Sequence, residues 1–135
     1  MSDGFRIEAP TALTCPGWLA MRRTLWPEMT EEENLRETEA MLADDSRFFV
    51  RIALDAKDRA TGFAEASLRR DYVNGCATSP VVFLEGIYVE LRARRRGVAR
   101  ALVDAVEGWG REMGFRVGCV AGEQRQPCHA SWAWI

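Results

Sequence analysis

Apolar residues recur along the chain at two periods. Over residues 16–25, Trp18, Met21 and Leu25 return at helical spacing, and Trp26-Pro27 stops the run because a residue before proline is pushed out of the helical region. Thr30 followed by Glu33 is a capping-box pattern, with Glu31, Glu32 and Glu33 at the positive end of a helix that continues to about residue 43. A longer stripe, Val98, Leu102, Val106, Trp109 and Met113, predicts a third helix over 97–113, with Gly114 just past its end. Between the helical stretches the period changes. Residues 5–8 read as a short strand, and residues 47–54 and 61–68 as a hairpin about the polar turn 55–59. A loop rich in turn formers, 71–80, leads to the most apolar strand, 81–89, and residues 116–121 read as one more. The order β-α-α-β-β-β-α-β predicts an α/β chain with a mixed sheet, in which 81–89, 97–113 and the last strand make one β-α-β unit.

Composition narrows this picture. With 135 residues, 47% of them hydrophobic and 28% charged, the chain has the size and apolar content of a single folded domain, 1–135. A net charge of −2 gives no general pull towards nucleic acid or anionic membrane, so neither is an expected partner. No apolar run approaches a membrane span, and the opening MSDGFRIEAP lacks the charged and apolar regions of an export signal, so a cytoplasmic location is expected. The four cysteines, Cys15, Cys76, Cys119 and Cys128, form no CxxC pair and the only histidine is His129, so no metal is expected and free thiols are.

The chemistry concentrates between the apolar strand and the third helix. There the chain reads Arg94-Arg95-Arg96-Gly97-Val98-Ala99-Arg100. A strand-to-helix turn exposes unpaired backbone N–H groups at the positive end of a helix dipole, small residues let a phosphate approach, and arginines add charge. It is a cradle for a diphosphate, which a side chain at Gly97 would fill. Neither GxGxxG nor the Walker A pattern is present, so those nucleotide folds lose their signature.

The same six residues, 94–99, match the R/Q-x-x-G-x-G/A motif at the strand-to-helix junction of the GCN5-related N-acetyltransferases (GNAT), and the chain resembles that family. Leu25-Trp26-Pro27 and the strings GFAEASLR (62–69), DYVNGC (71–76) and FLEGIYV (83–89) resemble its aminoglycoside 6′-N-acetyltransferase branch, over roughly residues 5–116. Leu91 departs from it where relatives often carry proline. The resemblance implies a GNAT fold, acetyl-CoA as co-substrate, and direct attack of an amine on the thioester. It places pantetheine along the strand at Ile87, Tyr88 and Val89, and the diphosphate on the amides of Arg94, Arg95, Arg96, Gly97, Val98, Ala99 and Arg100.

A polycationic acceptor calls for an acidic pocket. Glu85 stands inside an otherwise apolar strand, beside a glycine that permits a bulge, where desolvation would suit it to accept a proton. It is the expected catalytic base. Trp26, Glu65, Asp71 and Tyr72 join Glu85 as expected acceptor-binding residues, while the run 31–33 is read first as dipole complement.

From about residue 118 the resemblance stops, leaving 1–117 family-like and 118–135 atypical, so the fold is expected to be incomplete at that end. Codons for residues 123–135 can be chosen that, read one nucleotide later, give NNASHAMHRGLGF, which is like the missing family helix. A frameshift accounts for the change, and the apolar Trp132, Trp134 and Ile135 then favour a homodimer. Two functions stay open: acetyl transfer to an aminoglycoside or another small amine or peptide, and acyl-CoA binding by an impaired transferase.

Overall fold

The computed structural model describes residues 4–69 and 81–114. They form β1 (Phe5–Glu8), α1 (Cys15–Leu25), α2 (Glu31–Ala43), β2 (Phe48–Asp55), β3 (Ala60–Arg69), β4 (Val81–Val89), a 3-10 turn (Leu91–Ala93) and α3 (Val98–Met113). The strands lie in sequence order, each antiparallel to the next. The parallel pairing that would make the sheet mixed belongs to the strand expected over 116–121, outside the described residues, as are Cys76, Cys119, Cys128 and the 118–135 segment.

Local chemistry sets the helix ends. Glu33 N–H donates to Thr30 Oγ1 at 3.0 Å and Thr30 N–H to Glu33 Oε1 at 2.9 Å, so the capping box forms as the spacing predicts. Trp26, held out of the helical region before Pro27 (φ −124°, ψ 77°), ends α1. Gly114 ends α3 in the left-handed conformation, φ +81°.

Alternation along the strands splits the core in two. Phe49, Ala53, Ala64, Ala66, Val82 and Leu84 pack with Val98, Leu102, Val106 and Trp109 of α3. On the opposite face Val50, Ile52, Leu54 and Phe63 meet Trp18 and Met21 of α1 and Met41 of α2. β3, covered on both faces like β2, is buried throughout 61–68, and its Ala64 and Ala66 give α3 a smooth bed. Each large side chain buried here is worth roughly 1.5–3 kcal/mol. Met113 departs from the expected stripe: it is 38% exposed, because the last turn of α3 lies beyond Trp109, which stacks on Phe49 at 5.1 Å.

One irregularity positions the site. Glu65 pairs with Gly86 and Ala66 with Leu84, so Glu85 is the extra residue of a bulge in β4. The glycine beside it is required by Trp26: a Cβ on Gly86 would lie 2.6 Å from the indole. No helix among the described residues is long and apolar enough to cross a membrane.

Candidate active site

Three of the expected acceptor-binding residues, Trp26, Glu65 and Glu85, line one cavity of about 600 Å³ between α1, α2 and the sheet. Asp71 and Tyr72 lie outside the described residues. Met29, Glu33, Glu37, Ala40, Met41 and Phe48 complete the wall, and Arg22 reaches it from behind. Four carboxylates thus face one guanidinium. Glu33 serves twice, capping α2 through Oε1 while lining the cavity, so the dipole role does not exhaust it.

Glu65 differs from its expected part as a free ligand for amines. It is 2% exposed and its oxygens are spent inside the protein: Oε2 accepts from Trp18 Nε1 at 2.9 Å and from Arg22 Nε at 2.6 Å, and Oε1 from Arg22 Nη2 at 3.3 Å. Burial pushes its pKa up, against the pull of Arg22 and the Trp18 indole. Arg22, itself buried, uses its remaining donors on Asn34 Oδ1 (2.7 Å) and Glu37 Oε1 (3.0 Å). Asn34 in turn donates to the Leu19 carbonyl at 3.1 Å. The network ties α1, α2 and β3 behind the cavity and holds Glu37 at its rim.

Neither Arg22 nor Glu37 was singled out from sequence. The signals were there: Arg22 shares the apolar stripe of Trp18, Met21 and Leu25, where a charge needs a buried partner, and Glu37 follows Glu33 by one helical turn.

Glu85 also differs from expectation. Its side chain is 32% exposed rather than sunk in apolar surroundings, because the bulge delivers it to the cavity rim beside polar groups of β3. Ser67 Oγ donates to Oε2 at 2.5 Å, and Arg69 reaches Oε2 through Nη2 at 2.9 Å and Nε at 3.2 Å, and Oε1 through Nη2 at 3.2 Å. The carboxylate is ion-paired with Arg69 and hydrogen-bonded by Ser67, not left bare.

At the other end of β4 the turn has the features of an anion cradle. Arg95 (φ +66°) and Gly97 (φ +88°) both adopt left-handed backbone, a pattern that brings successive N–H groups together, and no side chain caps α3. Among the described residues, then, no cap side chain accepts from the first N–H groups of α3. Steric filling of the cradle at Gly97 is not the constraint, since a Cβ there would meet nothing within 4 Å; the positive φ is. Arg94 departs from a purely phosphate-directed role, its Nε donating to the Val89 carbonyl at 2.7 Å and tying the turn to β4. Val98 is buried, Ala99 half-buried and Arg100 exposed. Among the described residues β4 has β3 as its one strand partner; Tyr88 lies at a ladder-bonded position opposite Phe63, while Ile87 and Val89 turn their main-chain groups to the other edge, where Arg94 takes the Val89 carbonyl. Small residues, left-handed backbone and uncapped N–H groups fit the diphosphate of CoA. No group of three or more His, Cys, Asp and Glu among the described residues could hold a metal ion.

Known proteins resemble this chain in sequence and fold. The aminoglycoside N(6′)-acetyltransferase type 1 of Salmonella typhimurium is 47% identical over 100 residues, 73% of this chain and 67% of its own length. That of Stenotrophomonas maltophilia is 41% identical over 111 residues, 82% of this chain and 70% of that one. The structure of AAC(6′)-Iy in complex with a bisubstrate analog, CoA-S-monomethyl-acetylneamine, superposes with a TM-score of 0.80 at 41% identity, covering 87% of this chain and 78% of the other. The model of the acetyltransferase (GNAT) family matches residues 18–132, reaching past residue 118 into the segment where the sequence departs from the branch. A cradle at the start of α3, a bulged β4 and an acidic cavity beside it are thus set in a chain that belongs to the GNAT family of acetyltransferases.

Proposed function

We propose that this chain transfers the acetyl group of acetyl-CoA to an amino group of an aminoglycoside, with both substrates bound together. One observation carries the assignment: a single strand, β4, bears the acidic cavity at its bulge and the N–H-rich turn at its end. A polycation and a polyanion are therefore received at two ends of the same short element. The relatives that match over most of this chain carry the name of that activity.

Acetyl-CoA, when bound, supplies an activated carbonyl that an amine attacks directly, with the C–S bond breaking and CoA leaving as the thiol. The chain supplies position, charge and a proton acceptor. The amides of Arg94, Arg95, Arg96, Gly97, Val98, Ala99 and Arg100 hold the diphosphate, and Ile87 and Val89, on either side of Tyr88, offer main-chain groups to pantetheine. Trp26 walls the acceptor cavity. Glu33 and Glu37 attract the amines that do not react, and Glu65 acts through Arg22 rather than by direct contact. Asp71 and Tyr72, outside the described residues, are assigned to acceptor binding as well. Glu85 accepts the proton of the attacking amine. The chain works as one cytoplasmic domain, 1–117 family-like and 118–135 atypical, and as a homodimer. Leu35 and Leu42, seven residues apart on α2 and about half exposed, support a self-association surface.

Thiol release from acetyl-CoA, measured against aminoglycosides, polyamines and peptides, tests this. Aminoglycosides should be the preferred acceptors, and Glu85→Gln should lower turnover by roughly a hundredfold. Equal turnover with all three classes, or an unchanged Glu85→Gln, would remove the assignment.

A further inference from the structure

We propose that Arg69 is a positioning residue for acetyl transfer, its guanidinium fixing the Oε2 side of Glu85 so that Oε1 is the oxygen left to take the amine proton. The proposal rests on the assignment of Glu85 as proton acceptor. Glu85 occupies the extra position of the bulge, where the ladder to β3 does not fix it. Its side chain borders two cavities, the acidic one and a second of about 560 Å³ lined by Asp44, Ser46, Arg47 and Arg69. An unrestrained glutamate there has several staggered rotamers, each presenting the carboxylate differently.

Two groups of β3 remove that freedom. Ser67 and Arg69, alternate residues of one strand, together direct three hydrogen bonds at Oε2, whereas among the described residues Oε1 receives a single contact, at 3.2 Å. Arg69 is itself fixed, its guanidinium lying 4.0 Å over the Phe83 ring. Arg47, the other arginine of that cavity, stacks on Phe48 instead. A planar fork suits this task where a lysine would supply charge without direction. With side chains 40% and 32% exposed, the ion pair adds little to fold stability, so what it fixes is orientation.

The test uses the full chain as wild type, Arg69→Ala, Arg69→Lys and Glu85→Gln, with acetyl-CoA and an aminoglycoside. Arg69→Ala should lower kcat by roughly tenfold to a hundredfold, the cost of a misplaced reacting group, with KM for acetyl-CoA, CoA affinity and melting temperature unchanged. Arg69→Lys should recover part of the loss. Millimolar guanidinium ion should raise the turnover of Arg69→Ala and leave Glu85→Gln as it was. Full turnover by Arg69→Ala, a loss of CoA affinity or melting temperature in parallel with kcat, or no rescue by guanidinium would each overturn the proposal while the acetyltransferase assignment stands. A wild type that releases no thiol with any amine overturns both.

Discussion

Arg22 and Glu65 show how one buried pair shapes a site it does not touch chemically. Each is at most 3% exposed, so neither charge has water to fall back on; Glu65 is satisfied by Arg22 and the Trp18 indole, and Arg22 by Glu65, Asn34 and the rim carboxylate of Glu37. Removing one partner strands the other. Arg22→Met should lower stability by about 3–5 kcal/mol in urea unfolding, and Glu65→Leu by a similar amount. The double variant should cost clearly less than the two single losses together, because no uncompensated charge remains. Additive losses would mean that the two side chains act separately. The same substitution frees Glu37 from its 3.0 Å contact, so acceptor binding should weaken along with the fold.

At the scale of elements, the hairpin β2–β3 braces the cradle. Asp55 accepts the backbone N–H groups of Lys57 and Arg59 at 2.8 and 2.9 Å and the Arg59 side chain at 3.0 Å, closing the turn. Its other long contact, from Arg92 at 3.4 Å, reaches the 3-10 turn that leads into the cradle. What burial it has works to raise its pKa, but those donors win and hold it at about 2, below the ordinary 3.8. The unfolded chain therefore takes up this proton first as pH falls. The stabilisation from Asp55 is complete above about pH 4 and is lost as pH drops through about 2. Asp55→Asn should unfold at lower urea than wild type at neutral pH, with the gap closing towards pH 2. A gap independent of pH would show that charge on Asp55 is not what the donors hold.

The whole molecule is a sheet with two differently used faces. α3 covers one with an apolar stripe, and α1 with α2 covers the other while leaving the acidic cavity beside β4. Half-exposed Leu35 and Leu42 on α2, and an apolar sequence end containing Trp132, Trp134 and Ile135, favour association of two copies. Sedimentation should find the full chain as a dimer, and a chain ending at Ala121 with a larger monomer fraction. Monomers in both cases would remove the homodimer from the proposed function.

Much of this architecture is dictated locally. The capping box at Thr30, the stop at Trp26-Pro27, the glycine at the end of α3 and the alternation of β2 and β4 each depend on residues within a turn of one another, and all appear in the fold. The cradle is legible for the same reason, since a helix start exposes its N–H groups whatever lies elsewhere. What the sequence could not fix was which charges meet. Glu65 and Glu85 look alike along the chain, two carboxylates in β strands among small and apolar neighbours. Tertiary packing set them apart, bringing Arg22 from 43 residues away onto Glu65 and a one-residue bulge that swung Glu85 to the rim beside Arg69. Periodicity encodes which face a residue occupies, but the partner of a charge is chosen by elements distant in sequence, and only their packing decides whether a carboxylate is spent on the fold or kept for chemistry.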